Sequence, residues 1–452
     1  MPWIWSVLMP HPPILVPEVG RGRESEAAET LAGLGRVAEA VRGRAPEVLL
    51  VLSPHQPCAP CALGLNAAPE PEGSFAAFGA PQVRMGFRSP AEDREVLGGF
   101  LTPRGIPISY RSLPDLSSDQ GTMVPLHFLR RAWGGLPATL TASPTGLSPR
   151  GAFDMGRALA DFDDGRSWAL LASGDLSHRL IPSAPSGYAP EAGRAFDDAV
   201  LEALRRGSAA PIFALKLKTI NEAGQCGLWS VLAMLGLMEA LGGTARVLSY
   251  EGPFGVGYCT AAWDAPVPAP VRLARETVTR LLSGRPLPER GSDVCASPLW
   301  GRTAACFVSI KTSRGALRGC IGTLAPSQAT LDREIIENAV AAATRDPRFP
   351  PMTAEELEGV RLSVDAVGSG ARRGRGAAGP QALGRHRVEG LAARRAAAGP
   401  GGRGHRGAAG GDRGPKGRPR QPGGRRAPAL RRDAVSRAGC GDGPPSDFVI
   451  TT

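Results

Sequence analysis

The sequence predicts an α/β protein, with an open, mostly parallel sheet flanked by helices, then a smaller α+β domain and a disordered tail. Three observations predict it. Trp3–Met9 and Val48–Leu52 are short apolar runs with a helical segment between them, the pattern of a βαβ unit. Pro266, Pro268 and Pro270 mark a linker, after which strand and helix signals resume. At Gly368 the composition collapses to Gly, Ala, Arg and Pro, too poor in apolar surface to offset chain entropy. The domains expected are therefore 1–265, a linker at 266–270, a second domain at 271–367 and a basic tail at 368–452.

Each element follows from its residues. Glu24–Arg42 places Leu31, Leu34 and Val37 at helical spacing with charges between them, so it reads as an amphipathic helix. Val48–Leu52 is apolar throughout, as in a strand buried on both faces. Trp168–Ala172 is a third such strand, ending in Ser173-Gly-Asp-Leu-Ser-His178. Pro190–Arg205 and Cys226–Leu241 read as helices, and Ala245–Tyr250 as a strand before the glycine-rich run from Glu251 to Tyr258. The second domain reads as a helix near Val271–Leu282, a strand at Ala305–Lys311 and a turn at Ser313–Gly315. A helix at Asp332–Thr344 and a strand at Val360–Val367 complete it.

Charge excludes one class of function. The chain carries a net +11, but 18 Lys and Arg against 5 Asp and Glu lie beyond Val367, so residues 1–367 are slightly acidic. A nucleic-acid footprint is absent outside the tail, which could bind such polymers only non-specifically. The break at Gly368 is abrupt, and a frame-shifted reading of a GC-rich gene explains it better than an evolved tail. The apolar N-terminus lacks a basic n-region and is broken by Pro10, Pro12 and Pro13, so it reads as a buried strand rather than a signal peptide. No apolar stretch has the length of a membrane span. Eight Cys without a disulfide-framework spacing suit a reducing cytoplasm.

Two of the six His carry the chemical signal. His11 and His55 both follow a proline at a strand end, where open α/β sheets bind their ligands. Two such imidazoles on adjacent parallel strands would converge on one divalent metal ion. Imidazoles with a carboxylate suit Fe(II), whereas imidazoles with thiolate suit Zn, Cu(I) or Fe. His127 lies in an apolar run and reads as a satisfied core histidine. Cys58 and Cys61 form a CxxC with no second half, so they read as loop residues.

Five segments in order then become specific: Met-Pro-His11-Pro-Pro, Leu-Ser-Pro-His55, Asp119-Gln-Gly-Thr-Met-Val-Pro-Leu, Ser-Gly-Asp175-Leu-Ser-His178 and Tyr-Glu251-Gly-Pro-Phe-Gly-Val-Gly-Tyr258. Together they resemble the LigB-type family of class III extradiol ring-cleavage dioxygenases and its Memo-like relatives, over about residues 1–265. The resemblance implies His11 and His55 as imidazole ligands of one divalent ion, Fe(II) first, with Zn or Cu as alternatives. It implies Cys226 as third ligand, where Memo-like proteins carry Cys-Gly and the dioxygenases Glu, with Glu222 as the alternative. His178 matches the family acid–base histidine and Asp175 its orienting partner, while Glu251 and Gln120 fall where substrate contacts are expected. Gln120 stands where a second family histidine is usual, and an amide cannot exchange a proton near neutrality.

In the second domain, Leu-Arg318-Gly-Cys320-Ile-Gly and Asp346-Pro-Arg348-Phe-Pro-Pro look like the AMMECR-type domain. Fused in this order, the two are similar to the A-type proteins of the AmmeMemoRadiSam system, which implies a radical-SAM protein partner. Arg318 and Arg348 could bind an anion beside the Cys320 thiol, or could hold turns while Cys320 packs inside. The family domain continues beyond this strand, so 271–367 reads as truncated. The expected function is a non-haem metal-dependent oxidoreductase of extradiol type acting on a small molecule. Its alternative is a Memo-like metal-binding protein without dioxygenase activity.

Overall fold

The computed structural model describes residues 3–184, 186–289, 301–312 and 315–367. The tail from 368 to 452, and most of the turn expected at Ser313–Gly315, lie outside them. Ten strands precede the proline-marked break: β1 (Trp3–Met9), β2 (Val48–Leu52), β3 (Leu63–Asn66), β4 (Glu72–Phe75), β5 (Ala80–Gly86), β6 (Ile108–Arg111), β7 (Ala138–Ser143), β8 (Trp168–Ser173), β9 (Arg246–Glu251) and β10 (Tyr258–Asp264). Eight of them form one sheet in the order β6-β3-β7-β2-β8-β1-β10-β9, and β4 and β5 make a separate hairpin. The central pairs β7–β2, β2–β8 and β8–β1 are parallel, as is β3–β6. Within this eight-stranded sheet, among the described residues, antiparallel pairing is confined to β3–β7, β1–β10 and β10–β9.

One expectation is corrected here. β1 and β2 are not neighbours, because β8 pairs with both and lies between them. A third apolar run of similar length competes for the central slot, and sequence order does not reveal spatial order. The consequence is chemical: β8 brings its own polar exit, Ser173 to His178, between the two histidines.

Two apolar layers cover the sheet. On one, the helix Leu228–Leu241 is apolar all round and buried through Met238, as a core helix must be. It packs along the helix Pro149–Leu159, with backbones touching at Gly156 and Gly236. On the other layer, the helices Ala28–Val41 and Gln120–Trp133 bury Leu34, Val37, Val124 and Leu129. The helix expected from Glu24 begins with a 3-10 turn at Arg23–Ala27 and becomes α-helical at Ala28. That expected from Cys226 begins at Leu228.

His127 belongs to the second layer and is only 3% exposed. It packs edge-on against Phe75 and Phe128, and neither ring nitrogen has a partner among the described residues. It is thus a core histidine, but not a satisfied one. Burial lowers its pKa to about 4 from an ordinary 6.5. The unfolded chain therefore binds the extra proton first, and stability falls as pH drops from about 6.5 towards 4. His127→Leu is expected to flatten that part of a urea-melt pH profile and to add roughly 1 kcal/mol at neutral pH by removing an unpaired polar group.

Beyond the break, β11 (Ala305–Thr312), β12 (Leu317–Gly322) and β13 (Val360–Val367) form an antiparallel sheet in the order β12-β11-β13. The helices Ala269–Leu282 and Leu331–Thr344 cover it, burying Leu273, Val278, Ile335 and Ala339 on Val308 and Ile310. The first helix starts inside the expected linker. Pro270 sits in its opening turn, where a missing N–H costs nothing.

Candidate metal centre

Three central strands deliver their exits to one place. His11 follows β1, His55 follows β2, and between them β8 ends at Ser173 with Asp175 just beyond. His11 Nε2 lies 2.9 Å from His55 Nε2. Cys226 Sγ lies 3.5 Å from the same His11 nitrogen. These three donor atoms lie within 4.8 Å of one another.

Cys226 arrives from the turn before Leu228–Leu241, and the close approach of two glycines admits it. A Cβ on Gly174 would stand 2.3 Å from Gly227 Cα, so a side chain there would push the Cys226 turn away from β8. The Gly227 N–H donates to Asp175 O at 2.9 Å, and the Asp175 N–H to Cys226 Sγ at 3.3 Å. Glu222 lies elsewhere, on the helix Leu217–Ala223 with its side chain half exposed beside Lys218. The geometry favours Cys226 over it.

Each imidazole is held from behind. His11 Nδ1 is 2.9 Å from Ser173 Oγ, and a Ser173 hydroxyl accepting from Nδ1–H leaves the Nε2 lone pair facing the cluster. The His11 main-chain N–H donates to Asp175 Oδ1 at 2.9 Å. The His55 loop is tied down through Asp119, which accepts from Ser53 Oγ, from Gln56 Nε2 at 2.8 Å and from the Thr122 N–H at 3.1 Å. Asp119 thereby caps the helix Gln120–Trp133 while fixing the loop. Asp119→Ala should weaken metal affinity about 10- to 100-fold without removing any ligand, as loss of outer-shell support usually does. Competition with a chromophoric chelator checks this. Sequence pattern singles out neither Ser173 nor Asp119 as a support, although both sit at motif boundaries where a strand ends or a helix begins.

Burial sets the protonation states. It pushes the His11 pKa well below 6.5, helped by His55 and His178 alongside, and it lowers those of His55 and His178. Burial also holds the Cys226 thiol well above its ordinary range and raises Asp175. Neutral imidazoles with free lone pairs are ready ligands. A buried thiol that cannot ionise alone is no nucleophile, but a cation would hold it as thiolate. The donor set thus fits one divalent metal ion with mixed nitrogen and sulfur ligands.

The remaining expected residues divide. His178 and Asp175 join Cys226 in a second group whose donor atoms also lie within 4.8 Å of one another. Gln120 Nε2 is 3.4 Å from His55 Nε2. Glu251 Oε1 is engaged by the N–H and Oγ1 of Thr30, each at 2.6 Å. It supplies a cap to the helix Ala28–Val41, whose own N-cap is Ala27. In the second sheet Arg318 forms a bidentate pair with Glu356, at 2.6 and 2.9 Å. Arg348 is held by Asp346 and by Cys320 O, and Asp346 also accepts from the Cys320 N–H. Both guanidinium groups hold turns, and the Cys320 thiol faces Ser309 Oγ at 3.1 Å. Cys58 and Cys61 lie in the loop after His55, with Cys58 Sγ 3.4 Å from Thr145 Oγ1. Among the described residues no helix is long and apolar enough to cross a membrane.

Comparison with known proteins adds five findings. Residues 6–261 match the family model for the catalytic LigB subunit of aromatic ring-opening dioxygenase, and residues 271–373 match the AMMECR1 family. A protein of Clostridium acetobutylicum is 32% identical over 395 residues, covering 80% of this chain and 83% of its own. A protein of Methanosarcina acetivorans is 44% identical over 97 residues, covering 21% of this chain and 47% of its own length. The crystal structure of an uncharacterized Escherichia coli K12 protein aligns over 57% of this chain and 99% of its own, at 16% identity and a TM-score of 0.38.

Proposed function

Because the chain belongs to the family of the catalytic LigB subunit of aromatic ring-opening dioxygenases, with an AMMECR1 domain behind it, we propose that it is a metal-dependent oxidoreductase. His11, His55 and Cys226 would hold one divalent ion, Fe(II) first, and the substrate is a small catechol-like molecule. The observation that carries the reading is the convergence of these three donors from the exits of β1 and β2 and the turn before Leu228–Leu241, with burial disfavouring the charged form of each. When bound, the metal supplies Lewis-acid and one-electron redox chemistry.

The chain's own residues supply the rest. His178 Nε2 is shut from solvent without a partner among the described residues, so it is free to take or give a proton at a substrate hydroxyl. Asp175 orients the cluster by fixing the His11 main chain. The apolar packing behind β1, β2 and β8 keeps bulk water from that side.

A second reading is favoured by two departures. Cys226 replaces a carboxylate ligand, and Gln120 beside His55 offers an amide where a proton carrier is needed. On that reading the chain is a Memo-like metal protein without ring-opening activity, working in the cytoplasm with a radical-SAM partner. Anaerobic purification, elemental analysis and then oxygen uptake with a catechol panel separate the two. Iron with substrate-dependent uptake supports the first reading, bound metal without uptake supports the second, and a protein that takes up no metal contradicts both.

A further inference from the structure

The first trio leaves two donors unused. Asp175 gives Oδ1 to the His11 N–H, but its Oδ2 stands 3.7 Å from His11 Nε2, too far for a hydrogen bond. His178 keeps a buried Nε2 with no partner among the described residues. A buried ring nitrogen left in this state is costly. Both residues place a donor atom within 4.8 Å of the Cys226 sulfur.

We propose that Asp175, His178 and the shared Cys226 sulfur form a second, weaker position for a divalent cation. A thiolate has lone pairs enough to bridge two ions, and the Asp175 carboxylate adds the negative charge that a second cation requires. The ligand types are one oxygen, one nitrogen and one sulfur, which suits borderline ions such as Co(II) and Zn(II). The position is the weaker one because it contributes a single imidazole, shares its sulfur, and draws on a carboxylate already committed to the His11 main chain. Filling it takes the His178 lone pair, so excess cation silences the proton carrier. This inference rests on His11, His55 and Cys226 being the primary metal site.

The test is an anaerobic titration of the full-length metal-free protein with Co(II), followed by calorimetry, by the sulfur-to-cobalt absorption band and by elemental counting. The wild type is expected to bind two equivalents, the second at least about 10-fold more weakly. His178→Ala and Asp175→Asn, each checked for native circular dichroism, should keep the first equivalent with its sulfur band and lose the second. Saturation of the wild type at one equivalent overturns the second position and leaves the primary site standing. So does a second equivalent that survives in both variants. A wild type that binds no Co(II) overturns the primary site and this inference with it.

Discussion

Replacing His11 and His55 together by alanine is expected to yield a folded protein that has lost its metal. Two of three donors disappear, and the survivor is a thiol that burial holds protonated. Loss of a single outer-shell partner commonly costs 10- to 100-fold in affinity, so loss of two direct ligands should exceed about 100-fold. The fold should persist, because both rings lie at strand exits and not in the apolar layers. Their Nε2 atoms face each other at 2.9 Å, so truncating both rings removes a contact within the cluster and no packing of the apolar layers. Elemental analysis alongside circular dichroism checks the result. Metal content unchanged in a folded double variant would place the ion elsewhere.

The second large effect concerns stability. A Cβ on Gly156 would stand 1.9 Å from Ala233 O, and one on Gly236 would stand 2.1 Å from Phe153 O. The helices Pro149–Leu159 and Leu228–Leu241 therefore meet backbone to backbone, with carbonyl oxygens in the way of any side chain. A flexible side chain could turn aside, but a main-chain carbonyl in a buried helix cannot. Gly156→Leu must force the helices apart and open the largest apolar layer, at a cost of about 3 kcal/mol or more. Thermal melting should show a midpoint lowered by roughly 6 °C or more. The Cys226 turn feeds directly into the displaced helix, so metal affinity should fall in the same variant.

How far these features can be read from the sequence follows from their physics. Strands buried on both faces, such as β2 and β8, are legible because apolarity alone specifies them. The helices Ala269–Leu282 and Leu331–Thr344 and the strand β13 are legible instead from the periodicity of their apolar residues. Local pattern does not single out β3, β6, β7 or the β4–β5 hairpin. Leu63-Gly-Leu-Asn66 and Ile108-Ser-Tyr-Arg111 are four-residue pieces whose pairing depends on neighbours far along the chain. The insertion of β8 between β1 and β2 is likewise a tertiary choice, invisible to local pattern.

The site shows the same division. His11 and His55 stand out because proline-flanked histidines at strand ends have few structural uses. Cys226 needs the family resemblance, since a small buried thiol looks like any core residue until Gly174 and Gly227 are seen in contact. Glu251 carries an ambiguous signal. A carboxylate opening a glycine-rich run suggests a ligand contact, yet its Oε1 is occupied 221 residues away by Thr30. For Arg318 and Arg348 the sequence leaves anion binding and turn-holding both open, because it cannot show that Glu356 and Asp346 pair with them.

The proposed site places one divalent ion between two imidazoles and a thiolate. X-ray absorption at the edge of the metal carried by the anaerobically purified protein tests it most directly. The expected spectrum shows imidazole scattering together with one sulfur neighbour, and that sulfur is lost in Cys226→Ser while the imidazole signature remains. A wild-type spectrum with only oxygen and nitrogen neighbours, unchanged by Cys226→Ser, would contradict it.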